Sequence, residues 1–367
     1  MRRVLLVYGA GAIGRGYLPW VFSPQEFDYY YVETNPAIAN LINTQKQFTT
    51  CRIRNGAYEC MTVPVVQCFR PGEETAVIDK ADAIVTAVGP RNIYPLSESI
   101  KGTTKPVICC ENDASIPSLI TTLTGNPNVV FAIPDVITSN TAPPELLNKD
   151  PLSIVTEDGT CYIDERVSYL GGNCIYINQD ELSKQWMAKL YLHNTPHCIA
   201  AYLGYILQVN YLHESMKNPH VDRIVTGAMN EMQQLLAKKF FIDQQFIGWY
   251  ADKELQRFRN SLLFDPISRV AREPFRKLAP NERLIGAAQL CVSCGIIPQN
   301  ILLGIMAAFC YDNPADPDVN IKYLMDSLAP KDFLRIAMQL RPGEALYELL
   351  LKRWDNDIGT LRNLNDI

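Results

Sequence analysis

The residues from Lys189 to His197 form the densest group of polar side chains in the second half of the chain. The stretch reads KLYLHNTPH and contains a lysine, an asparagine and two of the four histidines of the protein. Such side chains can transfer protons and donate hydrogen bonds to a reacting oxygen. In the structural alternative, Asn194 caps a helix that breaks near Pro196, the histidines are satisfied core residues, and Lys189 is a surface charge. The residues alone leave both interpretations open.

A glycine-rich segment near the N-terminus predicts a dinucleotide site. The predicted strand VLLVY leads directly into GAGAIG, a GxGxxG motif, and a helix is predicted to follow. Gly9 permits a tight turn, Gly11 lets the backbone approach a pyrophosphate, and Gly14 lets helix and strand pack closely. Ala12 and Ile13 belong to the same predicted cofactor loop. The alternative is a glycine-rich turn that binds no ligand.

Two further segments are predicted to contact the cofactor. Glu33 ends the second predicted strand, YYYVE, about 20 residues after the glycines. A carboxylate there accepts hydrogen bonds from the ribose hydroxyls and repels a 2′-phosphate, so NAD is predicted rather than NADP. Val88, Gly89 and Pro90 follow the predicted strand AIVTAV, although an ordinary turn accounts for them nearly as well.

The elements that carry these residues change in character near residue 183. Before it, helix-like stretches alternate with predicted strands, as in a parallel sheet with crossover helices, and the strands are 4–8, 29–33, 83–88, 107–110 and 129–133. Residues 151–180 alternate like a short antiparallel hairpin that extends this sheet. After it, amphipathic helices are predicted at 184–192, 197–210, 220–240, 283–294, 299–310, 319–328, 330–340 and 343–354. We therefore predict an α/β Rossmann-type NAD-binding domain, 1–183, followed by an all-α catalytic and substrate domain, 184–367.

Composition and charge narrow the class of partner. The chain has 367 residues and a net charge of -5, and it has no long basic run, which argues against nucleic acid. Its apolar stretches are shorter than the roughly 20 residues that cross a bilayer. We expect a cytoplasmic protein, a monomer or small homo-oligomer, whose partner is a small molecule.

The eleven cysteines are predicted to be reduced, buried thiols. Their number is odd and their spacing is loose, which does not indicate a disulfide framework. Cys291 and Cys294 form a single C-x2-C pair with no second pair or nearby histidine to complete four zinc ligands. No metal is predicted.

Five separated motifs resemble the polyol-specific long-chain dehydrogenases of the mannitol dehydrogenase family. In chain order they are GAGAIGRG (9–16), TAVGP (86–90), CEN (110–112), KLYLHNTPHCIAAYLG (189–204) and REPFRKLAPNERLI (272–285). Several motifs in the same order are more specific than any one of them. The resemblance covers most of the chain. It implies hydride transfer between NAD and a polyol or polyol phosphate, of the mannitol-1-phosphate and fructose-6-phosphate type.

The same resemblance implies roles for four residues. Lys189 is the general base or acid, Asn112 and Asn194 donate hydrogen bonds to the reacting oxygen, and His197 positions the substrate. These roles are chemically reasonable, because burial and nearby cations can lower the pKa of a lysine toward neutrality. Neutral amide donors stabilise a developing alkoxide without adding a buried charge.

The chain departs from the family after the strand at 129–133. Relatives carry Asp-Arg-Ile or Asp-Arg-Val there, whereas this chain has Asp135 followed by Val136. The aspartate remains a candidate substrate ligand, but the lost guanidinium is a preferred partner for phosphate, which puts the substrate in doubt. A basic group remains that either binds a phosphate or consists of solvated helix-end charges, namely Arg272, Arg276, Lys277 and Arg283.

Three alternatives stay open. A ketopantoate-reductase-like enzyme shares the glycine loop and the lysine, but it usually prefers NADPH, against which Glu33 argues. An oxidoreductase for free polyols or hexuronates belongs to the same family, but such relatives tend to be longer. A catalytically silent NAD-binding protein is suggested by the lost arginine, and the presence of Lys189, Asn194 and His197 argues against it.

Overall fold

The chain forms two compact units. The computed structural model describes residues 2–316 and 321–364. The first unit is Met1–Trp186 with Leu262–Phe264, and the second is Met187–Ser261 with Asp265–Ile367. The beginning of the helix predicted at 319–328 and part of the loop before it lie outside the described residues.

In the described residues, the first unit contains one ten-stranded sheet. Its strands are β1 (Arg3–Tyr8), β2 (Phe27–Val32), β3 (Gln47–Arg54), β4 (Ala57–Phe69), β5 (Ala83–Thr86), β6 (Val107–Cys109), β7 (Val129–Asp135), β8 (Ile154–Glu157), β9 (Thr160–Asp164) and β10 (Ile175–Ile177). The order across the sheet is β10-β9-β7-β6-β5-β1-β2-β4-β3-β8. The strands from β7 through β6, β5 and β1 to β2 are parallel, as predicted.

Both faces of the parallel strands are buried, which explains their continuous apolar sequences. Along β1, Leu5 and Val7 enter one hydrophobic cluster, whereas Leu6 and Tyr8 enter a cluster on the opposite face. Successive side chains of a strand point to opposite faces, so a strand covered on both sides needs apolar residues at every position.

The hairpin of β3 and β4 was not predicted, and it corrects one expectation. The two strands pair antiparallel, and Cys51 lies directly opposite Cys60 with Cα atoms 4.0 Å apart. A disulfide joins them, so the prediction of reduced, buried thiols is wrong for this pair, and Cys60 is exposed. Sequence spacing missed the bond because it follows from strand register rather than from a cysteine motif.

The segment 151–180 extends the sheet, but the predicted antiparallel hairpin is wrong. β8 pairs parallel with β3, whereas β9 pairs antiparallel with β7 and parallel with β10. Only residues 158–159 separate β8 from β9, yet the two strands lie toward opposite ends of the sheet order, so this sheet curls. Alternation identifies half-buried strands but does not identify their partners.

The helices that begin in the first unit are short. They are α1 (Leu18–Val21), α2 (Pro36–Gln45), α3 (Thr75–Ile78), α4 (Ile93–Ser99), α5 (Ile116–Thr124), α6 (Pro144–Leu147) and α7 (Gln179–Ala188). A π-helical segment, Ala12–Tyr17, precedes α1, and 3-10 turns occupy Pro90–Asn92 and Glu165–Leu170.

The second unit is helical in its described residues. Its helices are α8 (Thr195–Ile206), α9 (Leu212–Ser215), α10 (Pro219–Lys239), α11 (Gln244–Phe258), α12 (Ile267–Ala271), α13 (Pro274–Lys277), α14 (Ile285–Ser293), α15 (Gln299–Phe309), α16 (Ile321–Ser327), α17 (Pro330–Ile336) and α18 (Ala345–Arg362). α8 packs against α10, α12 and α15. Among the described helices, none is both long and apolar enough to cross a bilayer. The prediction missed α11, because its buried face carries Glu254 and Arg257.

The helix does not break at Pro196, so the predicted separate helices at 184–192 and 197–210 are wrong, as is the cap at Asn194 in the structural alternative. α7 continues through a π-helical segment, Lys189–Asn194, directly into α8, and Asn194 has helical dihedrals without a capping side-chain bond. Proline lacks the N–H that a helix interior uses, so Pro196 removes one backbone donor from this helix without ending it.

Candidate functional site

The glycine loop has the geometry that the GxGxxG motif predicts. Gly9 has a φ of +94°, and a Cβ there would lie 2.4 Å from the Ala87 carbonyl oxygen. A Cβ on Gly14 would lie 1.9 Å from the Gly9 carbonyl oxygen, whereas a Cβ on Gly11 would meet nothing within 4 Å. The first and third glycines are therefore required by packing, and the second leaves the backbone accessible. Ala12 and Ile13 begin the π-helical segment and are partly buried.

Glu33 is tied to this loop. Its Oε2 accepts a hydrogen bond from the Ala10 N–H at 2.9 Å, and its Oε1 accepts from the Asn35 N–H at 2.7 Å. The side chain is partly buried. The carboxylate is therefore fixed at the end of β2, beside the glycine loop, where the sequence places a ribose-binding acid.

Glu111, for which no role was predicted, also belongs to this region. Its two oxygens accept from the Val88 N–H at 2.9 Å and the Gly89 N–H at 2.8 Å. Burial raises the pKa of Glu111, and the two N–H groups oppose that rise. Glu111 thus joins the loop after β6 to the loop after β5. Pro90 begins the next 3-10 turn.

The remaining predicted residues of the first unit follow β6 and β7. Asn112 comes directly after Glu111 and is partly buried. Asp135 ends β7 and is 3 % exposed, and Val136 is also buried. A Cβ on Gly159 would lie 2.4 Å from Val136 Cγ1, so the chain is tightly packed against this valine. The ends of β1, β5, β6 and β7 share one edge of the sheet, because these strands are parallel.

In the second unit, Lys189, Asn194 and His197 lie on one continuous helix. Lys189 begins the π-helical segment and is partly buried. Asn194 ends it and is 4 % exposed. π-helical turns inside α-helices are frequent at functional sites. The structure therefore joins these three residues in one element, where the sequence suggested two helices.

Two histidines of this helix each face a buried carboxylate. His193 Nδ1 lies 2.6 Å from Glu254 Oε2, and His197 Nε2 lies 2.8 Å from Asp265 Oδ2. The two imidazole rings are 4.7 Å apart, and Phe258 stacks on His197 at 5.2 Å. No sequence motif identifies these carboxylates, since each lies more than 60 residues from its histidine.

Arg276 and Lys277 differ in their surroundings. Arg276 Nε donates to Glu273 Oε2 at 2.9 Å, and its Nη1 lies 3.6 Å from Glu282 Oε1. Lys277 is buried and donates to the Arg272 carbonyl. Burial, followed by the neighbouring guanidinium groups of Arg283 and Arg276, holds the pKa of Lys277 well below its usual value.

The segment 272–283 also contacts α8. The Thr195 hydroxyl donates to the Arg283 carbonyl at 2.8 Å, and Arg283 is 4 % exposed. Arg272 is the C-cap of α12, directly before Glu273, whose φ of +59° turns the chain into α13. The basic group therefore belongs to the same part of the second unit as the residues that follow Lys189.

No metal centre emerges from the described residues. Within 2–316 and 321–364, no group of three or more histidine, cysteine, aspartate or glutamate side chains is arranged to hold an ion. Cys291 lies in α14 and Cys294 directly follows it, and burial raises the pKa of the Cys291 thiol to about 12.

Comparisons with known proteins agree over both units. Residues 3–123 match the profile of the Mannitol dehydrogenase Rossmann domain, and residues 181–350 match that of the Mannitol dehydrogenase C-terminal domain.

Among individual relatives, the mannitol-1-phosphate 5-dehydrogenase of Caldanaerobacter subterraneus subsp. tengcongensis is 27% identical, over 95% of this chain and 97% of its own. That of Thermoanaerobacter pseudethanolicus is 28% identical, over 84% and 86%. A solved ternary complex of Pseudomonas fluorescens mannitol 2-dehydrogenase with NAD and D-mannitol superimposes with a TM-score of 0.78 at 14% identity, covering 99% of this chain and 92% of that one. At that identity the likeness concerns the fold. With both domain profiles matched in order, the chain belongs to the mannitol dehydrogenase family.

Proposed function

We propose that this protein is an NAD-dependent dehydrogenase that interconverts a polyol phosphate of the mannitol-1-phosphate type with the corresponding ketose phosphate. The observation that carries the proposal is the combination of Lys189, Asn194 and His197 on one helix with family membership over both units. The mannitol-1-phosphate 5-dehydrogenases resemble this chain over nearly their whole length, which supports a phosphorylated substrate.

The glycine loop suits a dinucleotide. Open space at Gly11 leaves the backbone N–H groups within reach of a pyrophosphate, and the close contacts at Gly9 and Gly14 hold the turn in shape. Glu33 offers a fixed carboxylate to ribose hydroxyls and disfavours a 2′-phosphate. NAD, when bound, accepts the hydride in polyol oxidation and donates it, as NADH, in ketose reduction.

In the second unit, Lys189 is proposed to remove the hydroxyl proton as the hydride leaves carbon. Oxidation of a secondary alcohol releases one hydride and one proton, and a positioned base for the proton accelerates the reaction about 100- to 10,000-fold. The Asn194 amide is a neutral donor to the oxygen that gains negative charge. Asn112 and Asp135 lie in the first unit. Their roles, as a donor to the reacting oxygen and as a substrate ligand, stay predictions from the sequence.

The basic group at 272–283 is proposed to bind the phosphate. Val136 cannot pair with an anion, so the charge partners must come from elsewhere in the chain. Arg276 is engaged by Glu273 and Glu282, whereas Lys277 and Arg283 are buried beside α8. A phosphate would offset the repulsion among these cations and raise the pKa of Lys277.

One assay tests the proposal. Purified protein is given NAD with mannitol-1-phosphate, other polyol phosphates, mannitol, and aldonates, and NADH formation is followed. The reverse assay follows NADH oxidation with fructose-6-phosphate and with ketopantoate. We expect the highest kcat/KM with a polyol phosphate and its ketose phosphate.

Each alternative has its own outcome in this assay. A preference for free polyols or hexuronates would show that the substrate is not phosphorylated. Turnover of ketopantoate would show that the enzyme resembles a ketopantoate reductase rather than a polyol dehydrogenase. NADH binding without turnover of any substrate would indicate a silent NAD-binding protein.

A further inference from the structure

His197 offers only one ring nitrogen for an additional hydrogen bond. Its Nε2 lies 2.8 Å from Asp265 Oδ2. Phe258 stacks on the ring at 5.2 Å with an interplanar angle of 14°, which restricts its rotation. Within residues 2–316 and 321–364, no group forms a hydrogen bond to Nδ1.

Both carboxylate oxygens and the backbone carbonyl of Asp265 have hydrogen-bond partners. Its Oδ1 accepts from Nε of Arg269 at 3.0 Å and from Nη2 of the same guanidinium. Its backbone carbonyl accepts from the Leu212 N–H at 3.0 Å. The side chain is 3 % exposed. Burial acts to raise the pKa of Asp265, but Arg269 and His197 outweigh it and hold the pKa at about 2. The group is therefore a carboxylate near neutral pH.

A carboxylate only accepts hydrogen bonds, so the nitrogen that faces it must carry the hydrogen. For His197 that nitrogen is Nε2, which makes Nδ1 the unprotonated acceptor of the neutral ring. His193 is arranged the opposite way, because its Nδ1 faces Glu254 Oε2 at 2.6 Å while Arg257 pairs with Glu254 Oε1. Neighbouring histidines on one helix are thus assigned opposite tautomers.

We propose that Asp265 is a positioning residue that holds His197 in the Nε2–H tautomer, so that Nδ1 accepts a hydrogen bond from a substrate hydroxyl. The proposal rests on the proposed function for the identity of the substrate. An acceptor nitrogen binds a hydroxyl and disfavours a carbonyl oxygen. Nδ1 therefore contacts a hydroxyl that survives the reaction, rather than the oxygen that becomes the ketone.

The Asp265→Asn variant should switch the tautomer. Arg269 donates two hydrogen bonds to Oδ1 and requires an acceptor there, so the amide oxygen of the asparagine will face Arg269. Its NH2 group then faces His197 Nε2, which must become an acceptor, and the hydrogen moves to Nδ1. The substrate hydroxyl then faces an N–H donor and can no longer donate its own hydrogen to His197.

Nitrogen NMR reads the tautomer directly. The 367-residue chain has four histidines, so ¹⁵N-histidine labelling gives few signals, and His197→Gln identifies the signal of His197. In the neutral state we expect Nε2–H for His197 and Nδ1–H for His193. Asp265→Asn should change only the His197 tautomer. Nδ1–H at His197 in the unsubstituted chain would overturn the proposal, even if the variant failed to fold.

Kinetics test the substrate contact. Asp265→Asn should raise KM about tenfold and change kcat less, the cost of one hydrogen bond. With monodeoxy analogues of the substrate, this effect should vanish for the analogue that lacks the contacted hydroxyl. An equal effect with every analogue would show that Asp265 acts only on the fold.

Asp357→Asn is the matched control. Asp357 is 1 % exposed and binds Arg353 with both oxygens, at 2.9 and 3.1 Å, and within the described part of the chain it has no histidine contact. This variant should lose a buried carboxylate–arginine pair without changing KM or any tautomer. If no polyol or polyol phosphate is turned over at all, the proposed function fails, while the NMR result still decides the role of Asp265 toward His197.

Discussion

Gly11→Val should abolish cofactor binding and leave the fold intact. A side chain at this position meets no protein atom within 4 Å, and Gly11 has a φ of -86° and a ψ of -157°, which any residue can adopt. The variant therefore introduces no clash in the free protein. A valine would instead occupy the space through which a pyrophosphate reaches the backbone. We expect NADH affinity to fall at least about 100-fold, or about 2.7 kcal/mol.

Gly14→Ala provides the contrast in the same loop. Its Cβ would lie 1.9 Å from the Gly9 carbonyl oxygen, so the backbone must shift. Overpacking of this kind costs about 1–3 kcal/mol or more. For a unit of this size, each kcal/mol lowers Tm by about 2–4 °C, so we expect Tm to drop by about 2–12 °C. Gly11→Val should leave Tm within about 2 °C of the unsubstituted protein, since no contact is lost.

Fluorescence titration with NADH and thermal denaturation without ligand separate the two effects. Unchanged NADH affinity in Gly11→Val would show that the glycine loop is only a turn. A large loss of Tm in Gly11→Val would refute the claim that this position is open. Equal behaviour of the two variants would contradict the division between a packing glycine and a binding glycine.

Three further predictions concern the charged residues. Glu33→Gln keeps an acceptor for the Ala10 N–H but removes the charge, so it should narrow the preference for NADH over NADPH. If the unsubstituted protein bound NADPH more tightly than NADH, the assignment of Glu33 to the ribose hydroxyls would be contradicted. Lys189→Ala should lower kcat about 100- to 10,000-fold with NADH affinity retained. The control Lys184→Ala, at an exposed site, should leave kcat unchanged. Unchanged turnover and an unchanged pH profile in Lys189→Ala would remove Lys189 from the mechanism. Arg276→Ala should raise KM for a phosphorylated substrate more than for its free polyol, and equal changes would make Arg276 structural.

The parallel strands and most helices follow from sequence pattern. A strand that is buried on both faces has a continuous apolar sequence, and a helix that is buried along one stripe has apolar residues at helical spacing. β3 and β4 leave a weaker trace, since their pairing depends on a hairpin register that also brings Cys51 to Cys60. α11 was missed for a different reason. Its buried face includes Glu254, which is satisfied by partners that the sequence does not identify.

For the site, local motifs predicted what lies within one element. The glycine loop and the helix that carries Lys189 are continuous in sequence, so spacing alone reveals them. Glu111 and Asp265 act through side-chain contacts with distant residues, and no spacing rule identifies such pairs. Pro196 also misled the prediction, because a π-helical turn allowed the helix to continue through it.

The allocation of Leu262–Phe264 to the first unit has a consequence for protein synthesis. The Tyr58 hydroxyl donates to the Leu262 carbonyl at 2.9 Å, and the Ser139 hydroxyl donates to the Phe264 carbonyl. A ribosome that has made the first 186 residues has therefore not yet made every residue of the first unit. N-terminal domains commonly fold during translation. Here the last residues of the first unit emerge only after 75 residues of the second, Met187–Ser261, so no single cut of the gene yields both units whole.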